Sequence, residues 1–237
     1  MGRRRWRVGD KLPLKQFCPH PALLHVEPFT PIIDHELAPG DILYIPPGFP
    51  HDGFTFETAL NYSVGFRGPN GRDLISSFAD YALENDLGGE HYSDADLTCR
   101  EHPGRVEEYE LERLRAMMIE VINQPADFKQ WFGRFATTPR HELDIAPAEP
   151  AYEPDEIAEA LLSGDMLTRL SGLRVLQVGE HFFINSERLE TVDTQAADVL
   201  CRYTVLGKNE LGDALHNPVF VAELTALVNQ GYWYFDC

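Results

Sequence analysis

The stretch Gly40-Asp41-Ile42-Leu43-Tyr44-Ile45-Pro46-Pro47-Gly48-Phe49-Pro50-His51 constrains this 237-residue chain more than any other. Pro39-Gly40 suits a tight turn, because glycine accepts the positive φ that a Cβ resists. Ile42, Leu43, Tyr44 and Ile45 are β-branched, aromatic or aliphatic over the length of a buried strand, so a strand is predicted there. Pro46-Pro47-Gly48 then stops the strand and turns the chain again. His51 follows at once, on stiff backbone that can aim an imidazole. A metal ligand needs that stiffness, since the coordinating nitrogen must lie within about 0.2 Å of its place. The plainer reading is a histidine satisfied by the backbone of a Pro-rich loop.

The start of the chain reads by facing. With residues 3 to 9 as a strand, Arg3, Arg5 and Arg7 share one face, while Arg4, Trp6 and Val8 share the other. Trp6 and Val8 mark the second face as interior. Arg4 then points a guanidinium into apolar surroundings, where an unpaired charge is costly and a carboxylate would pair with it through two parallel hydrogen bonds. A basic, solvated arm is the alternative, and it suits Arg3, Arg5 and Arg7.

Charge is uneven. Residues 1 to 15 carry six Lys or Arg against one acid, a net of +5, so residues 16 to 237 carry −23 of the total −18. Such an acidic surface repels phosphate backbones and attracts basic partners, although solubility alone explains it equally well. Cys18, Cys99, Cys201 and Cys237 contain no Cys-x-x-Cys pair. That argues against a disulfide scaffold or structural zinc and fits a reducing cytosol. No apolar run reaches membrane-spanning length, and no signal-like hydrophobic core follows Met1.

Three regions are expected: 1–69, 70–150 and 151–237. The first alternates strands and turns. The second is helical, with apolar stripes at Leu74, Phe78, Tyr81 and Ala82, at Leu111, Leu114, Met117, Met118, Val121 and Ile122, and at Phe128, Trp131, Phe132 and Phe135. Pro139, Pro147, Pro150 and Pro154 then read as a linker. The third is a small α/β unit. Helices are predicted over 156–162, ended by Gly164, and near 196–203 and 219–229, with Gly231 as a stop. Strands are predicted around 166–170, 174–178, 182–184 and 232–235.

Gly40, Pro46, Gly48 and His51 match every spacing of the second motif of the cupin superfamily, although the motif's closing Asn falls on Thr55, with Asn61 the nearest substitute. Residues 2–9, Asn61 to Arg67, Asn123-Gln124-Pro125, Trp131-Phe132, His141 to Pro147 and Gly231-Tyr232-Trp233 extend the likeness over essentially the whole chain. It resembles the JmjC-type bacterial ribosomal oxygenases, which are iron(II)- and 2-oxoglutarate-dependent enzymes that hydroxylate an arginine of large-subunit ribosomal protein sixteen. The resemblance implies a mixed α and β fold: a partial double-stranded β-helix (cupin/JmjC) barrel, a helical dimerisation region and a winged-helix-like C-terminal domain. It implies His51 as a metal ligand, Arg4 as partner of the distal carboxylate of 2-oxoglutarate, and Asn61 or Ser63 on the following strand lining that pocket. No catalytic residue is implied beyond the metal site. It further implies a basic ribosomal protein substrate, a homodimer, a cytoplasmic location, no direct DNA binding and no membrane.

Enzymes of this class bind iron through two histidines and a carboxylate, the first pair being a His-x-Asp upstream of the Arg-rich strand. Only Met1 and Gly2 stand before Arg3, so the chain is expected to correspond to the C-terminal part of such an enzyme and to be inactive alone. His25-Val26-Glu27 is the one His-x-acid triplet, but it lies after that strand and runs into Pro28, which favours a solvated strand end. The competing reading is a non-catalytic acidic dimer that binds proteins through its helical and winged-helix-like parts.

Overall fold

Arg4–Gly9 (β1) is the central strand of an antiparallel sheet in the computed structural model, between Pro31–Leu37 (β4) and His51–Thr55 (β5). The structure describes residues 2–20, 23–65, 68–96, 99, 101–102, 104–190 and 193–235; Phe66, Arg67 and Cys237 lie outside them. The chain divides into two compact units, Met1–Gly68 and Pro69–Cys237.

In the first unit, Trp6 stands opposite His35 on one side and Gly53 on the other, and Val8 opposite Ile33 and His51. Residues directly opposite one another share a sheet face, so Arg4, Trp6, Val8, His35, His51 and Gly53 share one, as the alternation predicts. Gln16–His20 (β2) and Leu23–Val26 (β3) form a separate hairpin. The Glu27 carboxylate accepts from the Lys15 backbone N–H, and the Glu27 N–H donates to the Lys15 carbonyl. His25 packs its ring on Phe17. This acid is spent on closing a hairpin, as a solvated strand end would be.

Among the described residues the five strands of this unit form sheets of three and two. Two expectations change here. Residues 41–46 form no strand, and Ile42 is 94% exposed. A strand must share its N–H and C=O groups with a neighbour, and β1, the centre of the sheet, has both edges taken by β4 and β5. Residues 59–65 are likewise coil, with Tyr62 87% exposed, so Asn61 and Ser63 do not sit on a strand. The turns are as expected: Gly40 has φ +98° and Gly48 φ +86°.

The second unit begins with Gly71–Glu84 (α1), Glu108–Ile122 (α2) and Pro125–Thr137 (α3). Asn70 caps α1 by accepting from the Asp73 N–H, and Asp73 accepts from the Asn70 N–H. Two of the apolar stripes meet: Phe78 and Tyr81 of α1 bury against Trp131 of α3, with Leu74, Ala82 and Phe135 around them. The stripe on α2 stays largely uncovered, since no residue of that helix is buried.

Pro154–Ser163 (α4) starts on Pro154 and ends at Gly164, whose φ of +109° suits only glycine well. Leu167–Arg169 (β6), Val175–Val178 (β7), His181–Ile184 (β8) and Glu187–Leu189 (β9) follow, then Thr194–Arg202 (α5), Val205–Leu206 (β10), Lys208–Leu211 (α6), a 3-10 turn, Pro218–Asn229 (α7) and Trp233–Phe235 (β11). The strands form the sheets β7-β8-β9 and β10-β6-β11. Ile157, Leu161, Leu167, Leu200, Phe220, Leu224 and Trp233 make one fully enclosed core.

Residues before and after position 150 pack together within the second unit. Helix α3 lies so close on the β7-β8-β9 sheet that a Cβ at Gly133 would meet the Phe183 ring at 2.3 Å. Burying large aromatic faces together outweighs the sequence signal of the prolines. The Pro-rich segment is also fastened: the Tyr152 N–H donates to the Asn229 side chain, whose amide donates back to the Tyr152 carbonyl, and the Ala148 N–H donates to the Asn229 carbonyl.

Candidate metal and cosubstrate site

His51 opens β5 directly after the Gly48 turn. Its Nδ1 lies 3.1 Å from the Phe49 carbonyl. A carbonyl only accepts, so Nδ1 carries the proton and donates, which leaves the Nε2 lone pair free. That tautomer is the one a metal ligand needs. The side chain is exposed, and its ring lies 6.2 Å from the Trp6 ring.

Trp6 in turn carries Arg4, whose guanidinium carbon lies 4.9 Å from the centre of the indole ring. The face therefore runs His51, Trp6, Arg4. Arg4 Nη1 donates to the Asn61 side-chain oxygen and Nη2 donates to the Gly53 carbonyl at 3.4 Å. Arg4 Nε is buried without a hydrogen-bond partner. Among the described residues no carboxylate pairs with Arg4, so the guanidinium is a half-buried cation without a compensating acid.

The opposite face of β1 differs. Arg5 pairs with Asp34 at 2.5 and 2.6 Å, Arg7 with Asp52, and Arg3 with Glu36 and Glu57. The Arg5 guanidinium, hydrogen-bonded to Asp34, holds that carboxyl below its ordinary value and is itself raised, while the hydrogen bond to Asp52 raises Arg7. Hydrogen bonds from the Arg3 backbone and side chain depress Glu57. These three arginines are spent on their acids.

Of the site residues predicted from sequence, the structure brings Arg4 and Asn61 together and puts His51 on their sheet face. Ser63 stands exposed in the coil two residues after Asn61. Sequence reasoning missed Gly53. A Cβ there would meet Arg4 Nε at 2.9 Å and Trp6 at 3.2 Å, so its lack of a side chain makes the bed in which the guanidinium lies. Its signal was present: a glycine two residues after His51 points to the same face.

His51 fits one ligand position of a metal. Among the described residues no group of three or more His, Cys, Asp or Glu could hold an ion. Arg4 fits an anionic carboxylate in charge.

Residues 1–74 match the JmjC domain family, and residues 120–234 match the ROXA-like winged helix. The chain is 58% identical over 235 residues to the ribosomal protein uL16 3-hydroxylase of Escherichia coli K12, covering 99% of this chain and 63% of that protein. It is 25% identical over 215 residues to a probable ribosomal oxygenase of Haemophilus influenzae, covering 85% of this chain and 52% of that one. Among solved structures, E. coli YcfD, a ribosomal oxygenase in complex with cobalt and 2-oxoglutarate, is 55% identical with a TM-score of 0.84, over 100% of this chain and 62% of that one. Another E. coli YcfD structure reaches a TM-score of 0.87 at 58% identity, over 99% of this chain and 63% of that one. The chain thus spans 52–63% of the length of these relatives.

Proposed function

We propose that this chain, a relative of the JmjC-type ribosomal oxygenases, serves iron(II)- and 2-oxoglutarate-dependent hydroxylation of an arginine in a large-subunit ribosomal protein. The observation that carries the reading is the single sheet face of β1 and β5. It presents a free imidazole Nε2 at His51 and, beyond Trp6, a half-buried guanidinium without an acid. His51 holds the metal. Arg4 holds the distal carboxylate of 2-oxoglutarate, and Asn61 and Ser63 form the lip of that pocket. When bound, the iron supplies the oxygen chemistry that attacks an unactivated carbon. The chain's own part is to aim Nε2 through the Phe49 carbonyl and to orient the cosubstrate by charge.

The acidic remainder of the chain suits a basic ribosomal protein as partner. The winged-helix-like part faces protein rather than DNA in this reading. Its β8–β9 tip, Asn185-Ser186, is tied to α3: Ser186 N–H donates to the Thr137 hydroxyl, and Arg134 donates to the Ser186 carbonyl. A wing so fastened is not free to enter a groove. No helix among the described residues is long and apolar enough to cross a membrane, and a ribosomal protein substrate supports a cytoplasmic location. The uncovered α2 stripe, with Leu111, Leu114, Met118 and Ile122 all exposed, is the dimer contact. Light scattering at micromolar concentration should return about twice the 26.9 kDa chain mass. A monomer would show that the stripe serves otherwise.

One observation favours the second reading, a non-catalytic acidic binding module: the described residues supply one metal ligand of the three required. Incubating the 237-residue chain with iron(II), 2-oxoglutarate and the ribosomal protein separates the two. Succinate together with one added oxygen on an arginine, both lost in His51→Ala, establishes the oxygenase. Unmodified substrate that still binds a chain with no affinity for 2-oxoglutarate establishes the module.

A further inference from the structure

The Arg4 guanidinium is held differently from those of Arg3, just before β1, and of Arg5 and Arg7 on it, and the difference is Asn61. Arg3, Arg5 and Arg7 each meet a carboxylate. The side chain that reaches Arg4 is a neutral amide, brought from 57 positions away on exposed coil. It takes Nη1 alone. The other edge of the guanidinium, Nε and Nη2, carries one buried N–H without a partner and one long contact of 3.4 Å to the Gly53 carbonyl. That edge lies against the Gly53 backbone, so what Arg4 offers a carboxylate is an uncompensated charge held in one place. Trp6 lies beneath the group and Gly53 leaves it room. We propose that Asn61 is a positioning residue: it fixes the Arg4 guanidinium by its Nη1 edge and does so without cancelling the charge that a dicarboxylate guest needs.

The inference rests on the reading of Arg4 as the cosubstrate's carboxylate partner and explains why an amide stands where an acid would bind Arg4 more tightly. Asp has the shape of Asn but would form an ion pair with Arg4 and compete with any incoming carboxylate. Ala leaves the charge but releases the latch.

The test follows the Arg4 Nε–H signal by NMR in the full 237-residue chain. The chain is titrated with 2-oxoglutarate and with 2-oxobutyrate, which lacks the distal carboxylate. Asn61→Asp should weaken 2-oxoglutarate binding about tenfold or more, the scale of one charge-assisted contact. It should leave 2-oxobutyrate within about twofold, so the discrimination between the two ligands collapses while the fold is unchanged. Asn61→Ala should free rotation about the Nε–Cζ bond and weaken 2-oxoglutarate only a few-fold. Unaltered 2-oxoglutarate binding in Asn61→Asp, or an Arg4 signal untouched in Asn61→Ala, overturns the proposal. Arg4→Ala separates it from the reading beneath. If that variant, or the absence of any wild-type response, shows that 2-oxoglutarate ignores Arg4, the cosubstrate assignment itself falls. If Arg4→Ala loses binding and Asn61→Asp keeps it, only the role of Asn61 falls.

Discussion

Among the described residues of the first unit Val8 is the one buried hydrophobic side chain, whereas the second unit encloses Trp233, Phe182, Phe183, Phe220, Ile157 and Leu224 completely. The first unit instead sets arginines against acids across three strands. Solvent screens exposed ion pairs of this kind, so each contributes little, while burying one large apolar side chain contributes about 1.5–3 kcal/mol. The candidate site therefore stands on the unit with the weaker apolar support, and the better-packed unit carries none of its residues. Order at the site depends on charge and register rather than on close packing.

Truncation in the core should show the contrast most strongly. Phe182→Ala removes a fully buried ring and should cost about 3–5 kcal/mol in urea unfolding of the second unit. Val8→Ala should cost the first unit about 1.5 kcal/mol. Equal losses at the two sites would break the comparison.

Acid should act in the opposite sense and more gently. The folded-state pKa values of Asp34 and Glu57 are depressed by their arginines. The unfolded chain then takes up protons first as pH falls, so the stability these groups contribute is present above their unfolded values of 3.8 and 4.5 and is lost below them. In the second unit, Arg113 holds the Asp96 carboxyl at about 2, but the apolar core does not titrate. Hydrogen exchange from pH 5 down to pH 2.5 should thus show residues 4–9 losing protection while residues 181–184 keep theirs, with high salt at neutral pH weakening the first unit likewise. Parallel loss in both segments would show that charge does not hold the β4-β1-β5 sheet.

Local signals in the sequence were legible and non-local ones were not. Gly40, Gly48, Gly164 and Gly231 marked real turns because each needs a positive φ that the residue type advertises. Alternation along residues 3–9 correctly separated Arg4 from its neighbours, since facing in a strand is a parity rule. Ile42 to Ile45 failed because residue preference cannot say whether a neighbouring strand is there to pair with. The strand β9 went unseen because Glu187-Arg188-Leu189 is short and polar, and pairs only through the tight Asn185-Ser186 turn. Asn61 was singled out by motif position, but its hold on Arg4 spans 57 residues and no spacing encodes it. The α3 stripe was visible, yet its second partner, the sheet carrying Phe183, was not.

The diagonal pairing of Arg3 with Glu36 and of Arg5 with Asp34 has one more consequence. Sliding β4 by a single residue would turn both acids over to the face of Trp6 and leave Arg5 and Arg7 facing Ile33, His35 or Leu37 instead. The ladder thus works as a vernier: charge, read at alternate positions, admits the observed alignment and rejects its immediate neighbours. A sheet with almost nothing to squeeze it from above can still return His51 and Arg4 to the same offset each time it re-forms.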